Sequence, residues 1–327
     1  MSRFIKRSRS SEQIRILFLS CILGLSVTIQ AQKFHLPEES AGVDSIAQTL
    51  ISIFDQVNIV ALGEAHKRKV DSDLRIALVR HPDFAKKVRA IVVEFGSTTQ
   101  QETLDRYIRG ENISPAQLAQ VWKTTTQAAN GIWDDPIYKE FFSAVRDVNS
   151  KLPADKRIRV FGGDPGPGDN RSRETAAVAV LKEQVLQKHA KALVIYGAAH
   201  FYRNAPKDYW ANMGKDTGIV RMLQKDYPGQ TLAVIPVGGP LPLPPRASVP
   251  IDPDYQKFDR VLKTQVRPVL VALHRLPFRN FTAEEFLGGG IFNCRRPGGC
   301  VSIFKGSNLT LGQMADACIY IGGAPAR

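Results

Sequence analysis

The sequence predicts an α/β protein with a mostly parallel central sheet, helices on both of its faces, and a Pro-rich C-terminal elaboration. Two observations predict this class. Between Val43 and Gly239, short β-branched runs alternate with longer amphipathic ones, the rhythm of strands joined by helices. The short runs are apolar almost throughout, as strands covered on both faces must be.

The strands read in order as "VNIVALG" (57–63), "AIVVEFG" (90–96), "RIRVFGG" (157–163), "ALVIYGA" (192–198) and "TLAVIPVGG" (231–239). The helix after the first strand is expected to begin near Asp71 or Ser72 and to turn Leu74, Ala77 and Leu78 inward. Asp135-Pro136 supplies a capping side chain and a proline for the first turn of a helix whose Ile137, Phe141, Val145 and Val148 repeat at helical spacing. Thr217 to Asp226 is another helix, stopped by Pro228-Gly229. Beyond Gly239 the texture changes. "PLPLPPRASVPIDPD" is proline-dense and extended, and "RPVLVAL" and "ACIYIGG" offer two further strands. This stretch has too few periodic segments for a core of its own. Residues 32–327 therefore read as a single α/β domain, with a core at 43–239 and a C-terminal extension at 240–327.

Residues 1–31 have the layout of a secretory signal peptide: Arg3, Lys6, Arg7, Arg9 and Arg15 precede an apolar run from Ile16 to Ile29. That run is short for a membrane span, so a secreted or periplasmic location is expected ahead of an N-terminal anchor. Its removal takes away five basic residues and Glu12, bringing the net charge from +13 to about +9. The remaining basic residues are scattered without interleaved aromatics, which argues against a nucleic-acid groove. A basic surface suits an anionic substrate or an anionic membrane face. Of the cysteines left after processing, Cys294 and Cys300 bracket the loop "NCRRPGGC" and are the favoured disulfide, leaving Cys318 unpaired.

In open α/β sheets the functional crevice lies at the carboxyl ends of the strands. Those ends deliver Glu64 and His66 after the first strand, Glu94 within the second, Asp164 after the third and His200 after the fourth. Each has an ordinary structural reading: Glu64 as a capping carboxylate, His66 as part of a polar turn, Asp164 as a turn residue in "GGDPGPGDNR", His200 as a satisfied core histidine. Glu94 is harder to read that way, because a carboxylate inside "IVVEF" must be paired or neutralised. Together they form a set able to hold a divalent metal or to activate water. Glu64 and His66 stand two apart, so in extended backbone both face the same way. Arg171 and Arg203, near the third and fourth strand tips, are candidates for binding an anionic substrate. The chain has no G-x-S-x-G elbow, no H-E-x-x-H helix, no Walker loop and no dinucleotide G-x-G-x-x-G. Activated water is thus the expected nucleophile, attacking an ester or amide of a small-molecule or peptide substrate.

The pair "LGEAH" and "YGAAH", each a strand ending in G-x-x-H, with "VVEF" between them, resembles the superfamily that groups erythromycin esterases, ChaN-like haem-binding lipoproteins and TraB/Tiki metallopeptidases. "LDRYIRGENISPAQLAQVW" followed by "WDDPIYKEFF" resembles the helical insert of ChaN-like and esterase-like members. The likeness covers about residues 57–239. It implies a secreted or envelope α/β protein with a site built from Glu64, His66, Glu94 and His200. From esterase-like members it implies His66 as general base, oriented by Glu64 and Glu94, with His200 completing the site. From Tiki-like members it implies His66, His200 and Glu94 as ligands of a divalent metal. From ChaN-like members it implies a haem carrier with no turnover, for which Tyr202, His66 and His200 are ligand candidates. One departure stands out: a single residue, Ala65, separates Glu64 from His66, whereas erythromycin esterases usually have two there. The spacing is nearer to that of ChaN-like proteins.

Overall fold

Five apolar segments lie side by side as parallel strands because each has a hydrophobic surface to cover on both faces. β2 (Ile59–Glu64), β3 (Ala90–Ser97), β4 (Arg159–Asp164), β5 (Ala192–Gly197) and β6 (Thr231–Val237) coincide with the expected runs to within a few residues. The computed structural model describes residues 34–206, 218–239, 255–287, 292–293 and 301–323. The signal segment 1–31, the proline-dense 240–254 and the Cys294–Cys300 pairing lie outside the described residues. Three shorter strands widen the sheet: β1 (Glu39–Ala41), β7 (Val269–Ala272) and β8 (Ala317–Tyr320). The strand order is β1-β7-β8-β6-β2-β5-β3-β4. β7 runs antiparallel to both of its neighbours, and every other pairing is parallel. This is the mostly parallel α/β sheet that the sequence predicts.

Alternation along the strands divides the core in two. Val60, Leu62, Ile91, Val93, Leu193, Ile195 and Val234 face one side. There they meet α1 (Val43–Ile53), α2 (Lys69–Arg80), α3 (Gln101–Arg109), α4 (Pro115–Lys123) and α5 (Pro136–Asn149). Ile59, Ala61, Val92, Val194 and Ile235 face the other side. They are covered by α6 (Arg173–Gln184), α7 (Ile219–Asp226) and short helices of the C-terminal extension. Cys318 is a free thiol buried in β8 on this second side.

Local chemistry sets the helix ends. The Asp135 side chain accepts from the Ile137 amide at 3.1 Å, with Pro136 in the first turn of α5. Ser114 and Gln117 form a capping box at α4. α2 starts at Lys69 rather than at Asp71 or Ser72. The Asp71 carboxylate is not a cap: it accepts from the Ala65 amide at 2.8 Å and from the Arg68 guanidinium, tying down the preceding turn. Leu74 and Leu78 are buried as expected, while Ala77 is only partly so.

The connections position the site. β2 and β3 both lead into helices on the first face, whereas β5, lying between them, leads into α7 on the second face. Chains leaving in opposite directions open a crevice at the carboxyl ends of these three strands.

Candidate active site

Glu64 ends β2 with its side chain 4% exposed, so its charge requires compensation. Arg75, buried on α2, forms an ion pair with its Oε2 and donates to the Ile137 carbonyl at 3.2 Å. The guanidinium also lies over the rings of Phe95, Tyr138 and Phe141 at 5.0, 4.9 and 5.5 Å. The Tyr138 hydroxyl donates to Glu64 Oε1 at 3.1 Å. Burial drives the Glu64 pKa up, but Arg75 and the hydrogen bond with His66 outweigh it, and the net shift is downward.

An ionised carboxylate only accepts, which fixes the neighbouring imidazole. His66 Nδ1 stands 2.9 Å from Glu64 Oε1 and must carry the hydrogen. The lone pair of the neutral ring is therefore on Nε2. That atom is 3.9 Å from Glu94 Oε2, beyond hydrogen-bond reach. The His66 side chain is 27% exposed and meets the edge of Trp133 with ring centres 4.8 Å apart. Burial lowers its pKa, but the Glu64 hydrogen bond and the charges of Glu94 and Glu64 raise it more, leaving it above the ordinary 6.5.

Glu94 on β3 is 1% exposed and accepts from several donors. Arg173 Nη1 donates to its Oε1 at 2.6 Å, His200 Nε2 lies 3.2 Å from the same oxygen, and the Gly197 amide donates to Oε2 at 2.7 Å. His200 Nδ1 lies 2.6 Å from Glu174 Oε1. With a carboxylate at each nitrogen, both must donate, so His200 is an imidazolium. Burial opposes that charge, but Glu94 and Glu174 override it and push the pKa up to about 9. The shift has a stability consequence. A histidine whose pKa rises on folding stabilises the fold fully below about 6.5 and loses that contribution as pH climbs through about 9. Thermal melts should therefore show Tm falling across this window, and His200→Gln should flatten that fall; a wild-type Tm unchanged across it would contradict the assignment.

The strand ends thus bring Glu64, His66, Glu94 and His200 into one acid–imidazole chain, extended at its far end by Glu174. Asp164 does not join it. Its carboxylate accepts from the Thr126 amide (2.8 Å) and hydroxyl (2.6 Å) and the Gly166 amide (2.8 Å), which is turn duty. Arg171 pairs with Asp169 at the surface, and Arg203 pairs with Asp316 and the Thr231 carbonyl. Neither arginine lines the cleft at the site. The residues that sequence reasoning misses are Arg75, Tyr138, Trp133, Arg173 and Glu174. Arg75 left a readable trace: it sits beside Leu74 on the inward stripe of α2, where a guanidinium needs a buried partner. Arg173 and Glu174 left none, being ordinary residues in the first turn of α6.

A cleft of about 510 Å³ opens over His66, within the usual range for small-molecule sites. A larger groove, about 990 Å³, lies between α1, α2 and α5, away from this chemistry. The expectation that His66, His200 and Glu94 jointly ligate a metal does not fit the geometry. Both Glu94 oxygens and both His200 nitrogens are engaged, and no group of three or more acidic, histidine or cysteine side chains among the described residues is disposed to hold an ion. For haem, His66 is the one candidate with an uncommitted ring nitrogen.

A family model described as "Haem-binding uptake, Tiki superfamily, ChaN" matches residues 50–155. Among solved structures, a succinoglycan biosynthesis protein is 10% identical over 88% of this chain and 94% of its own, with a TM-score of 0.57. A protein from Bacillus cereus is 12% identical over 88% and 93%, with a TM-score of 0.54. An erythromycin esterase mutant in its open conformation is 12% identical over 90% and 96%, at 0.47. Identities this low speak for the fold alone. No curated protein matches the chain. The strand-end motifs and the family match over residues 50–155 make this part of the chain similar to the ChaN/Tiki superfamily.

Proposed function

We propose that the protein is an exported hydrolase of ester or amide bonds in which His66 activates water. The superfamily includes both esterase and haem-binding members. The observation that carries the hydrolase reading is the Glu64–His66 pair. Its 2.9 Å contact fixes the tautomer and leaves Nε2, at the floor of the cleft, as the basic atom. Among the described residues no helix is long and apolar enough to cross a membrane. Export rests on the composition of residues 1–31.

Gly197 supports the placement of the water. A Cβ on this residue would lie 2.9 Å from both His66 Nε2 and Cε1, and 3.5 Å from Glu94 Oε2. The missing side chain lets the His66 ring lie close against the Gly197 backbone, which sets Nε2 3.9 Å from Glu94 Oε2. A water entering from the cleft can donate one hydrogen to Nε2 and the other to Oε2. Its oxygen attacks the carbonyl carbon as Nε2 takes a proton. The tetrahedral adduct then collapses, His66 returns that proton to the leaving alkoxide or amine, and an acid and an alcohol or amine depart. Glu64 stabilises the transient imidazolium, and Arg75 holds Glu64 in place. His200, charged throughout, with Arg173 keeps Glu94 ionised.

Gly197 has φ −50° and ψ 136°, a conformation alanine adopts freely, so Gly197→Ala displaces the His66 ring without straining its own backbone. On a panel of p-nitrophenyl and glyceryl esters, the variant is expected to lose about 10²-fold or more in kcat/KM while keeping its fold, because misplacing reacting groups by an ångström costs that much. Wild-type kcat/KM should climb with pH as His66 deprotonates, with its midpoint above 6.5. Failure of the wild-type protein to cleave any ester or amide offered would remove this reading.

The family description and the mixed apolar lining of the cleft favour a second reading, a haem carrier in which His66 would ligate the iron. Bound haem would supply the iron and the chromophore of such a carrier. Its signature is a Soret shift on adding haemin that is lost in His66→Ala, with no hydrolysis by the wild-type protein.

A further inference from the structure

We propose that Lys67 makes the cleft a site for anionic amphiphiles, molecules with an apolar chain and a carboxylate or phosphate beside the bond that is cut. The cleavage rests on the hydrolase reading; the binding does not. Of the ionic side chains that line the cleft, Glu64 is paired with Arg75, Arg68 with Asp71, and His200 with both Glu94 and Glu174. Lys67 lines the same cleft, and among the described residues its ammonium has no carboxylate partner. Among the described residues it is the one unmatched charge there.

Its backbone is held for this position. Lys67 adopts φ 64°, a left-handed conformation uncommon for lysine. Its amide donates to the Tyr138 hydroxyl at 3.1 Å, and that hydroxyl donates to Glu64. The Arg68 amide closes the turn onto the Ala65 carbonyl at 3.1 Å, and Arg68 Nη1 reaches the Gly238 carbonyl at 3.0 Å. His66 and Lys67 thus leave one pinned turn, and both line the cleft. The remaining wall is mostly apolar, with Ile132, Pro236, Phe286 and Leu287 beside Asn130 and Tyr202. A cleft lined by an unmatched cation, a water-activating base and such a wall selects a ligand that joins negative charge, a cleavable bond and hydrocarbon.

The test compares matched probes. By calorimetry at low salt, octyl phosphate is expected to bind about tenfold or more tightly than octanol, the advantage shrinking as salt rises. Lys67→Asn, which suits the left-handed turn, should abolish that preference, and Lys67→Asp should reverse it. With octanoylglycerol 3-phosphate and octanoylglycerol as substrates, the kcat/KM ratio should exceed ten in the wild-type protein and fall toward one in Lys67→Asn. Equal affinity for octyl phosphate and octanol, no binding of octyl phosphate, or a preference that survives both substitutions would overturn the inference. Preferential binding of octyl phosphate with neither ester cleaved would sink the hydrolase reading and leave the anion site standing. Cleavage of both esters at equal rates with no binding preference would do the opposite.

Discussion

Replacing His66 with alanine should lower kcat/KM on every ester the protein cleaves by about 10²–10⁴-fold, the usual contribution of a positioned general base, with little change in Tm. The ring is more than a quarter exposed, and its loss leaves Glu64 still paired with Arg75 and hydrogen-bonded to Tyr138. No buried charge is orphaned. Steady-state kinetics and a thermal melt on the same sample check both halves, and a variant with near wild-type rates would refute the assigned base. His200→Ala is not an equivalent experiment. It would leave Glu94 and Glu174 without the cation between them, so its inactivity would mix lost chemistry with lost folding.

Arg75→Met should be the most destabilising single substitution at the site, by about 3–5 kcal/mol in a denaturant titration at pH 7, the cost of breaking a buried ion pair from one side. Methionine fills much of the same volume against Phe95, Tyr138 and Phe141, so the loss reports the charge more than a cavity. The pH dependence gives a second signature. In the wild-type protein the Glu64 pKa is depressed, so its contribution is present above about 4.5 and fades as pH falls. Without Arg75, burial raises that pKa, and the protonated acid becomes the form the fold prefers. The gap between wild type and variant should therefore narrow between pH 7 and pH 4.5. A loss below about 1 kcal/mol, or a gap independent of pH, would show that Arg75 does not hold Glu64 by charge.

How far the sequence led depends on what each residue's neighbours are. The five central strands were readable because a two-sided parallel strand must be apolar along its whole length, and "VNIVALG" or "ALVIYGA" can hardly be anything else. α5 was readable from Asp135-Pro136 and its inward stripe. The start of α2 was not, because Asp71 looks like a cap in sequence and is a tether in space. Strand order was closed to sequence reasoning as well, since the apolar pattern of β5 does not say that it lies between β2 and β3. The candidate site followed the same division. Glu64, His66, Glu94 and His200 were found by the rule that chemistry gathers at strand ends. Asp164 satisfied that rule and does turn duty instead. Arg75 and Glu174, which set the charge states of the two dyads, reach the site from helices, where no strand-end rule applies.

Two imidazoles flank Glu94 in different states: His66 neutral and basic at Nε2, His200 charged between two carboxylates until pH approaches 9. NMR titration of the protein with ¹⁵N-labelled histidine reads both directly. The expected result is one ring protonated at both nitrogens until pH approaches 9, and a second that titrates above 6.5 and keeps its hydrogen on Nδ1 once neutral. Assignment through His66→Ala should remove the second signal alone. A His200 that titrates near 6.5, or a neutral His66 protonated on Nε2, would contradict it.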